Sequence, residues 1–366
     1  MLAVNNLTPV VANHRAAFDA AWQRVADRAR FVLGEECERF EQEFADYCGV
    51  AHAIGTANGT DALEIALRAL GVSVADRVLT VANAGMYAST AIRACGAIPQ
   101  FVDVDESTMN LSPECLSAAL EAVPNPRAII VTHLYGRMAP VEALLAVAAR
   151  AGVPVIEDCA QAHGARANGR HAGSFGVLGC FSFYPTKNLG ALGDGGAIMT
   201  QDQHLAERVR QLRQYGWGEK YRVDAEGGRN SRLDELQAAF LRARLPHLDA
   251  ENDRRRAIAA KYAAEIRNPH IAVQMRGGPS DCIHLFVVTS ALRDALAAHL
   301  AVHGIGSDIH YPVPDHRQPA FAGAMQDIRL TVTERLADAV LTLPCHPGMS
   351  DEDASSVIAA CNSFGG

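Results

Sequence analysis

The chain has 366 residues, of which 49% are hydrophobic and 20% are charged; this composition is typical of a folded globular protein and excludes general disorder. The formal net charge of -8 offers no basic surface of the kind that nucleic-acid binding needs. No apolar run reaches the ~18 residues of a membrane helix, and the N-terminus lacks a signal-peptide pattern. We therefore expect a cytoplasmic protein that binds neither nucleic acid nor membrane.

The predicted elements divide the chain into two α/β domains, as its length also suggests. Residues 15–47 have a helical pattern, and short apolar runs then alternate with amphipathic stretches, which is typical of a mostly parallel sheet. We predict a large domain over residues 1–250, with an N-terminal helical arm, and a smaller α/β domain over residues 251–366. The predicted strands cover residues 77–82, 98–104, 128–133, 153–157, 180–184, 197–200 and 284–289; the predicted helices cover residues 61–70, 141–151, 233–245 and 252–266.

One lysine stands just beyond a predicted strand. The run Ser182-Phe183-Tyr184-Pro185-Thr186-Lys187 leads into a glycine-rich stretch, and proline ends a strand because it lacks a ladder donor. Open α/β sheets bind ligands at the carboxyl ends of their strands. A desolvated lysine there has a lowered pKa and can form a Schiff base. The alternative is a solvated surface lysine.

An acidic pair, Glu157-Asp158, ends the predicted strand at 153–157, and Gln161 and His163 follow it. A carboxylate at that position can hold a protonated heteroaromatic nitrogen. Asp158 is the better candidate because it lies past the apolar run. The alternative is an ordinary Asp N-cap of a following helix.

Two further segments could hold an anion. The turn at 55–61 enters a helix through Gly59 and Thr60, where free N–H groups and the helix dipole suit a phosphate. It lacks the Gly-Lys-Ser/Thr ending of a P-loop, and an ordinary helix cap has the same appearance. The polar tip Asn230-Ser231-Arg232 precedes another helix and could reach an anion, although Ser231 could simply cap that helix.

Together, these four segments resemble the DegT/DnrJ/EryC/StrS family of nucleotide-sugar aminotransferases, and the resemblance extends from residue 31 to residue 347. It implies an α/β fold of the aspartate-aminotransferase type (PLP fold type I), with a mostly parallel, seven-stranded type of sheet in the large domain. It also implies pyridoxal 5′-phosphate (PLP) as the cofactor. A homodimer whose subunits share the active site is expected as well.

By position, the resemblance implies a role for each motif residue. Lys187 looks like the catalytic Schiff-base lysine that also moves the substrate proton, and Asp158 looks like the partner of the pyridine nitrogen. Gln161 resembles the contact on the ring-hydroxyl side, and Tyr87 falls where the family places an aromatic ring over the cofactor, with core packing as the alternative. The expected phosphate contacts are Gly59, Thr60 and Ser182, with Asn230 donated by the neighbouring subunit.

The substrate contacts are less sharply defined. Arginines suit a diphosphate, and the sequence does not choose among Arg222, Arg229 and Arg232. The other candidates are His163, for which a structural role is equally good, and Tyr184, His310 and Tyr311. No metal site is expected, since the nine cysteines form no CxxC pair and the spacing of His310, His316, Cys345 and His346 fits no zinc motif.

The segments at 214–221 and 230–237 resemble the 3-aminotransferases of the family. The predicted reaction is amino transfer from L-glutamate (or glutamine) to C3 of a dTDP-linked 3-oxo-6-deoxyhexose, giving a dTDP-3-amino-3,6-dideoxyhexose. The alternatives are a 4-aminotransferase, an inositol-type aminotransferase, a dehydratase, or a PLP-binding sensor without enzyme activity. An NAD-dependent enzyme fits worst, because no GxGxxG turn follows the first strand.

Overall fold

A computed structural model describes residues 1–321, 323, 325 and 327–365. None of the described helices is both long enough and apolar enough to cross a membrane. The α-helices, in chain order, are α1 (Thr8–Arg28), α2 (Glu35–Cys48), α3 (Gly59–Ala69), α4 (Tyr87–Ala94), α5 (Pro113–Ala122), α6 (Val141–Ala151), α7 (Gln203–Leu212), α8 (Glu235–Arg244), α9 (Leu248–Glu265), α10 (Arg293–Val302), α11 (Thr331–Ala339) and α12 (Asp351–Ser363).

The strands form one large sheet and three small ones. They are β1 (His52–Thr56), β2 (Arg77–Thr80), β3 (Ile98–Phe101), β4 (Ala128–Thr132), β5 (Val155–Asp158), β6 (Arg166–Ala167), β7 (Arg170–His171), β8 (Leu178–Ser182), β9 (Gly196–Thr200), β10 (Trp217–Glu219), β11 (Arg222–Val223), β12 (Ala272–Val273), β13 (Phe286–Thr289) and β14 (Val340–Leu343). The large sheet has seven strands in the order β1-β9-β8-β5-β4-β2-β3. Strands β9 and β1 pair antiparallel to their neighbours, and the others are parallel.

This mostly parallel sheet confirms the predicted fold class. Strands β4 and β5 lie at its centre and are buried along their whole length, as expected where helices cover both faces. Parallel strands place their carboxyl ends at one edge, so Thr132, Asp158 and Ser182 end β4, β5 and β8 on the same side. This edge is where a doubly wound sheet binds its ligands.

The C-terminal part contains the small antiparallel sheet β12-β13-β14, with Phe286 of β13 packed edge-on against Tyr262 of α9 at 5.0 Å. Its apolar core is continuous with residues of the large sheet, such as Leu79 and Val131. Helix α9 runs unbroken across residue 250. The division into domains at that residue stays a prediction.

The N-terminal helical stretch is two helices rather than one. Helix α1 ends at Ala29, whose φ of 49° is left-handed, and α2 begins after Gly34. Phe18 of α1 packs against Phe240 of α8. All nine cysteines are free, and all except Cys115 are buried.

Candidate active site

A cavity of about 730 Å³ opens at the carboxyl edge of the large sheet. It gathers side chains from distant parts of the sequence, including most of the predicted site. The lining residues are Val4, Asn5, Asn58, Gly59, Thr60, Leu63, Tyr87, Asp158, Ala160, Gln161, Ser182, Tyr184, Thr186, Lys187, Asp194, His284, Leu285, Asp308, His310 and Tyr311.

Lys187 lies in the loop that follows β8. A tight turn forms there, in which the Lys187 N–H donates to the Tyr184 carbonyl at 2.8 Å. Gly190 is required by close packing, since a Cβ on it would lie 2.4 Å from the Pro185 carbonyl oxygen. Burial lowers the pKa of Lys187 to about 8, and the nearby Asp158 carboxylate opposes this effect. A larger share of the amine is therefore neutral near pH 8 than in an ordinary lysine.

Asp158 is the last residue of β5, so its carboxylate faces the cavity from the sheet edge. The side chain is 4% exposed, and it accepts hydrogen bonds from the Ala160 N–H at 3.1 Å and the Thr132 hydroxyl at 3.4 Å. Burial raises the pKa of Asp158, while the positive charge of Lys187 lowers it. A cation placed beside this carboxylate would offset its desolvation.

The N-terminus of α3 points into the same cavity. The N-cap Asn58 accepts from the Asp61 N–H at 2.8 Å, and no described residue accepts from the N–H groups of Gly59 and Thr60. A Cβ on Gly59 would lie 2.6 Å from the Ser182 Cβ, so only glycine lets Ser182 approach this closely. Two free N–H groups, a hydroxyl and the helix dipole together form a site for a phosphate.

The aromatic wall of the cavity is fixed by Gln161. Its Oε1 accepts from the Tyr135 N–H at 2.6 Å, and its Nε2 donates to the Tyr311 hydroxyl at 3.0 Å. The Tyr311 ring in turn meets the Tyr87 ring edge-on, with centroids 6.3 Å apart. Tyr87 is 50% exposed at the cavity, so it is not the core residue that the alternative interpretation required.

His310 lines the cavity from the C-terminal part. Its Nδ1 is hydrogen-bonded to the Thr342 hydroxyl at 2.8 Å, and its Nε2 lies 3.8 Å from the Asp308 carboxylate. Burial lowers the pKa of His310, and Asp308 opposes this shift. Tyr184 lies on the same cavity wall and is 52% exposed.

Five predicted residues lie outside the lining of this cavity. His163 is fully buried between Phe181 and Phe183, at centroid distances of 5.3 and 5.8 Å, and burial lowers its pKa to about 3. Its position supports the structural role that the sequence left open. The Arg229 guanidinium is paired with the carboxylates of Glu64 and Asp61, so its charge is already matched.

Asn230 and Arg232 line a separate pocket of about 350 Å³. Asp194 borders both cavities. Arg232 stacks on the Tyr215 ring at 5.7 Å, and no described carboxylate forms an ion pair with it. The third arginine candidate, Arg222, is exposed and carries a two-bond ion pair with Asp224, at 3.0 and 2.8 Å.

Sequence reasoning missed the N-terminal segment as part of the cavity. The Leu2 N–H donates to the Gly304 carbonyl at 2.7 Å, and the Asn5 side chain donates to the Thr186 carbonyl, next to Lys187, at 3.1 Å. Val4 and Asn5 thereby line the site. No motif in residues 1–6 indicates this, because the contacts join positions up to about 300 residues apart.

Sequence reasoning also gave no role to Glu157, the neighbour of Asp158. Its carboxylate is fully buried and accepts from three N–H groups of the loop at 173–176, at 2.7 to 2.9 Å. The His133 Nε2–H donates the fourth hydrogen bond at 2.8 Å, because its Nδ1 accepts from the Ala139 N–H. Glu157 thus fixes the backbone beneath Asp158. The acid pair in the sequence was the signal that could have revealed it.

Within the described part of the chain, one group of residues has the proximity that metal ligands need, namely His133, Glu157 and Cys159. The donors just described already occupy the Glu157 carboxylate. His310, His316, Cys345 and His346 form no such group among the described residues.

The cavity fits PLP on three observations. The α3 N-terminus has two free N–H groups for a phosphate, as a helix start with no acceptors of its own provides. Asp158 is a buried carboxylate facing the cavity with no ion pair among the described residues, which matches a protonated ring nitrogen. Lys187 supplies an amine of lowered pKa in the same cavity. Three charged or polar features of the cofactor therefore meet complementary groups.

Comparison with known proteins shows the family of the chain. The DegT/DnrJ/EryC1/StrS aminotransferase family matches residues 13–362. The dTDP-3-amino-3,4,6-trideoxy-alpha-D-glucose transaminase of Streptomyces venezuelae is 45% identical over 349 residues, covering 94% of this chain and 91% of the relative. The UDP-N-acetyl-3-dehydro-alpha-D-glucosamine 3-aminotransferase of Acidithiobacillus ferrooxidans is 42% identical over 335 residues, covering 91% of this chain and 90% of the relative.

A solved structure is similarly close. The crystal structure of DesV of S. venezuelae in complex with a ketimine intermediate superposes with a TM-score of 0.94 at 43% identity, covering 98% of this chain and 96% of the other. The fold and the site define a sugar aminotransferase. The chain belongs to the DegT/DnrJ/EryC1/StrS aminotransferase family, which confirms the prediction made from four sequence segments. The family and this structural neighbour point to PLP as its cofactor.

Proposed function

We propose that the chain transfers an amino group from L-glutamate (or glutamine) to C3 of a dTDP-linked 3-oxo-6-deoxyhexose, giving a dTDP-3-amino-3,6-dideoxyhexose. The observation that carries the proposal is the meeting of Lys187, Asp158 and the α3 N-terminus in one cavity. The 3-amino sugar nucleotides in the names of the relatives support C3 as the acceptor carbon.

The binding residues follow from the chemistry of the cavity. Gly59, Thr60 and Ser182 would hold the phosphate, Asp158 the ring nitrogen and Gln161 the ring-hydroxyl side. Tyr87 would cover the ring, where stacking adds about 0.5–1.5 kcal/mol beyond burial. PLP, when bound, would supply a carbonyl carbon for the amino group and an electron-accepting ring.

Lys187 is proposed to carry the proton. Its Nζ would accept the proton from Cα of the amino donor and later deliver a proton to C3 of the sugar. In the cofactor-free cavity the pKa of Lys187 is already lowered to about 8, toward the ambient pH at which a group that must act as acid and as base works best.

The nucleotide sugar would lie across the outer part of the cavity. Tyr184, His310 and Tyr311 line it there and offer hydroxyl and imidazole groups to sugar hydroxyls and phosphate. Of the three arginine candidates, Arg232 has no ion pair among the described residues, whereas Arg222 and Arg229 are paired. We therefore assign the diphosphate to Arg232, which lines the same separate pocket as Asn230 and would, like Asn230, act on the site of the second subunit.

A two-fold homodimer would complete the site. Asn230 is exposed and lies outside the cavity of its own chain, so a phosphate contact from it requires a second subunit.

The first test is the visible absorption spectrum of the purified protein, recorded before and after L-glutamate is added. We expect the visible band of PLP bound to lysine to bleach with glutamate and to return with a 3-oxo sugar nucleotide. Product identification by mass spectrometry and NMR then fixes the amino carbon. The amino acceptors to be compared are dTDP-3-oxo, dTDP-4-oxo and UDP-linked 3-oxo sugars and a keto-inositol. A band indifferent to glutamate and glutamine would contradict transamination.

Variants separate the two central roles. Lys187→Ala should abolish turnover while retaining added PLP, and normal turnover by that variant would refute the assignment. Asp158→Ala should slow proton transfer, seen as a lower rate constant in single-turnover kinetics, far more than it weakens sugar binding. If sugar binding weakened far more than proton transfer slowed, Asp158 would not support the electron-accepting role of the ring.

Mixed dimers test the contribution from the second subunit. Lys187→Ala and Asn230→Asp subunits, each inactive alone, are mixed after mild dissociation. If Asn230 acts across the interface, half of the dimers are hybrids with one intact site each, so activity returns to about one quarter of wild type. If Asn230 acts within its own chain, no site is restored and the mixture stays inactive.

A further inference from the structure

Asp315 from the C-terminal part reaches back to the start of α4, the helix that presents Tyr87. The side chain is 1% exposed. One carboxylate oxygen accepts from the Met86 N–H at 3.0 Å, and the other accepts from the Ser89 hydroxyl at 2.5 Å. Asp315 therefore joins the N-cap residue of α4 to a side chain in its first turn.

Helix α4 needs this outside support. Its N-cap Met86 has a left-handed φ of 72° and provides no side-chain cap, whereas α3 and α5 are capped by their own Asn58 and Ser112. A non-glycine residue in the left-handed region is strained and persists only where its surroundings enforce it. With eight residues, α4 is also too short to be stable on its own.

The same C-terminal segment also holds the chain just before Met86. The Asp315 N–H donates to the Ala82 carbonyl at 2.8 Å. A Cβ on Gly85 would lie 2.8 Å from the Tyr311 ring, so that ring packs directly on the backbone before α4. Together, Tyr311 and Asp315 hold the turn from which Tyr87 projects into the cavity.

We infer that Asp315 is a positioning residue that fixes the Tyr87 ring at the cavity by holding the N-terminal turn of α4. The inference rests on the proposed function, in which Tyr87 covers the ring of PLP. Burial raises the pKa of Asp315 to about 6, so the carboxylate is mostly ionised near neutral pH, where it accepts both hydrogen bonds. Asp315 does not line the cavity, so it acts through the helix.

The test compares Asp315→Ala with Asp315→Asn in two measurements that do not depend on turnover. Hydrogen–deuterium exchange of the cofactor-free protein should be faster over residues 86–94 in Asp315→Ala, by roughly tenfold, the usual effect of losing a helix cap. The dissociation constant for PLP, measured by fluorescence titration, should rise by a similar factor. Asp315→Asn should restore both values, because its amide oxygen can accept from Met86 while its NH2 donates to Ser89.

The matched control is Asp103→Ala. Asp103 accepts from the Val332 and Thr333 N–H groups at 2.9 Å, so it joins the N-terminus of another helix, α11, to the segment that follows β3, but it does not line the cavity. Its removal should lower the melting temperature without changing PLP affinity or the exchange of residues 86–94. If Asp103→Ala weakens PLP binding as much as Asp315→Ala, the effect is general destabilisation and the inference is wrong.

Two outcomes decide the inference. Unchanged exchange and PLP affinity in Asp315→Ala would overturn it. Should that variant fail to fold, Ser89→Ala removes one of the two hydrogen bonds and must give a smaller increase in both quantities, and no increase would equally overturn the inference. Failure of the proposed reaction is distinguishable, because a wild-type protein that transaminates no sugar would still report exchange and PLP affinity.

Discussion

The lowered pKa of Lys187 leads to a prediction that can be tested without substrate. An ordinary lysine amine has a pKa of about 10.4, so at about pH 7.5 only about one part in 800 is neutral. Burial lowers the pKa of Lys187 to about 8, and about one quarter of that amine is then neutral at the same pH. The nucleophilic fraction is therefore roughly 200-fold larger than in an ordinary lysine.

The assay is competitive acetylation of the cofactor-free protein with trace acetic anhydride, from pH 6 to 11, followed by peptide mass spectrometry. Only the neutral amine reacts, so labelling of Lys187 rises with pH and is half-maximal near its pKa. We expect the midpoint near pH 8. Restricted access to the cavity scales the rate at every pH and does not move the midpoint. The exposed Lys220 serves as the internal reference for reagent activity.

Asp158→Asn sharpens the test. The Asp158 carboxylate raises the pKa of Lys187 against the effect of burial, so removing the negative charge should lower the midpoint below that of wild type. The sign is fixed, because losing an opposite charge disfavours the protonated amine. A wild-type midpoint near 10, or a midpoint that rises in Asp158→Asn, would refute the electrostatic account of the site.

Three further changes test other parts of the molecule. Arg232→Ala should raise the KM for the nucleotide sugar by about tenfold or more, because a charge-assisted contact is lost. The control is Arg222→Ala, which should leave the KM unchanged because Arg222 is exposed and ion-paired; the same KM in both variants would contradict the assignment. Glu157→Gln places an amide against backbone N–H donors and should lower the free energy of unfolding in urea by about 2–4 kcal/mol. An unchanged midpoint of the urea unfolding curve would show that the hydrogen bonds to Glu157 contribute little to stability. Ser231→Ala leaves the Ala57 N–H, now bonded to the Ser231 hydroxyl at 3.0 Å, without its acceptor and should destabilise by about 1–3 kcal/mol; wild-type stability would mean that water replaces the hydroxyl.

The central strands could be predicted because their own residues signal burial. The run that became β4 is apolar up to Thr132, and β5 begins with Val155 and Ile156, as expected of strands that are covered on both faces. Strand β1 escaped prediction because it contains Gly55, where a Cβ would lie 2.8 Å from the Leu233 Cβ. Close packing against a distant residue requires glycine at this position instead of an apolar side chain, so the local sequence does not have the pattern of a strand.

The residues of the site also differ in whether the sequence reveals them. Lys187, Asp158 and Gly59 belong to short motifs in which neighbouring residues perform one task, so each motif is visible in the sequence. Asp315 acts on residues more than 220 positions away. Its neighbours reveal nothing of that contact, because it arises only when the C-terminal part folds against the large sheet.

The position of the N-terminal segment bears on how the protein should be produced for measurement. Met1 is separated from the cavity-lining Val4 and Asn5 by two residues. An affinity tag joined there would emerge beside the mouth of the site and could compete with a bulky nucleotide sugar for space. A tag placed after α12 avoids this, since no residue of that helix lines the cavity. The two tagged forms should differ more in their KM for the sugar than in their kcat.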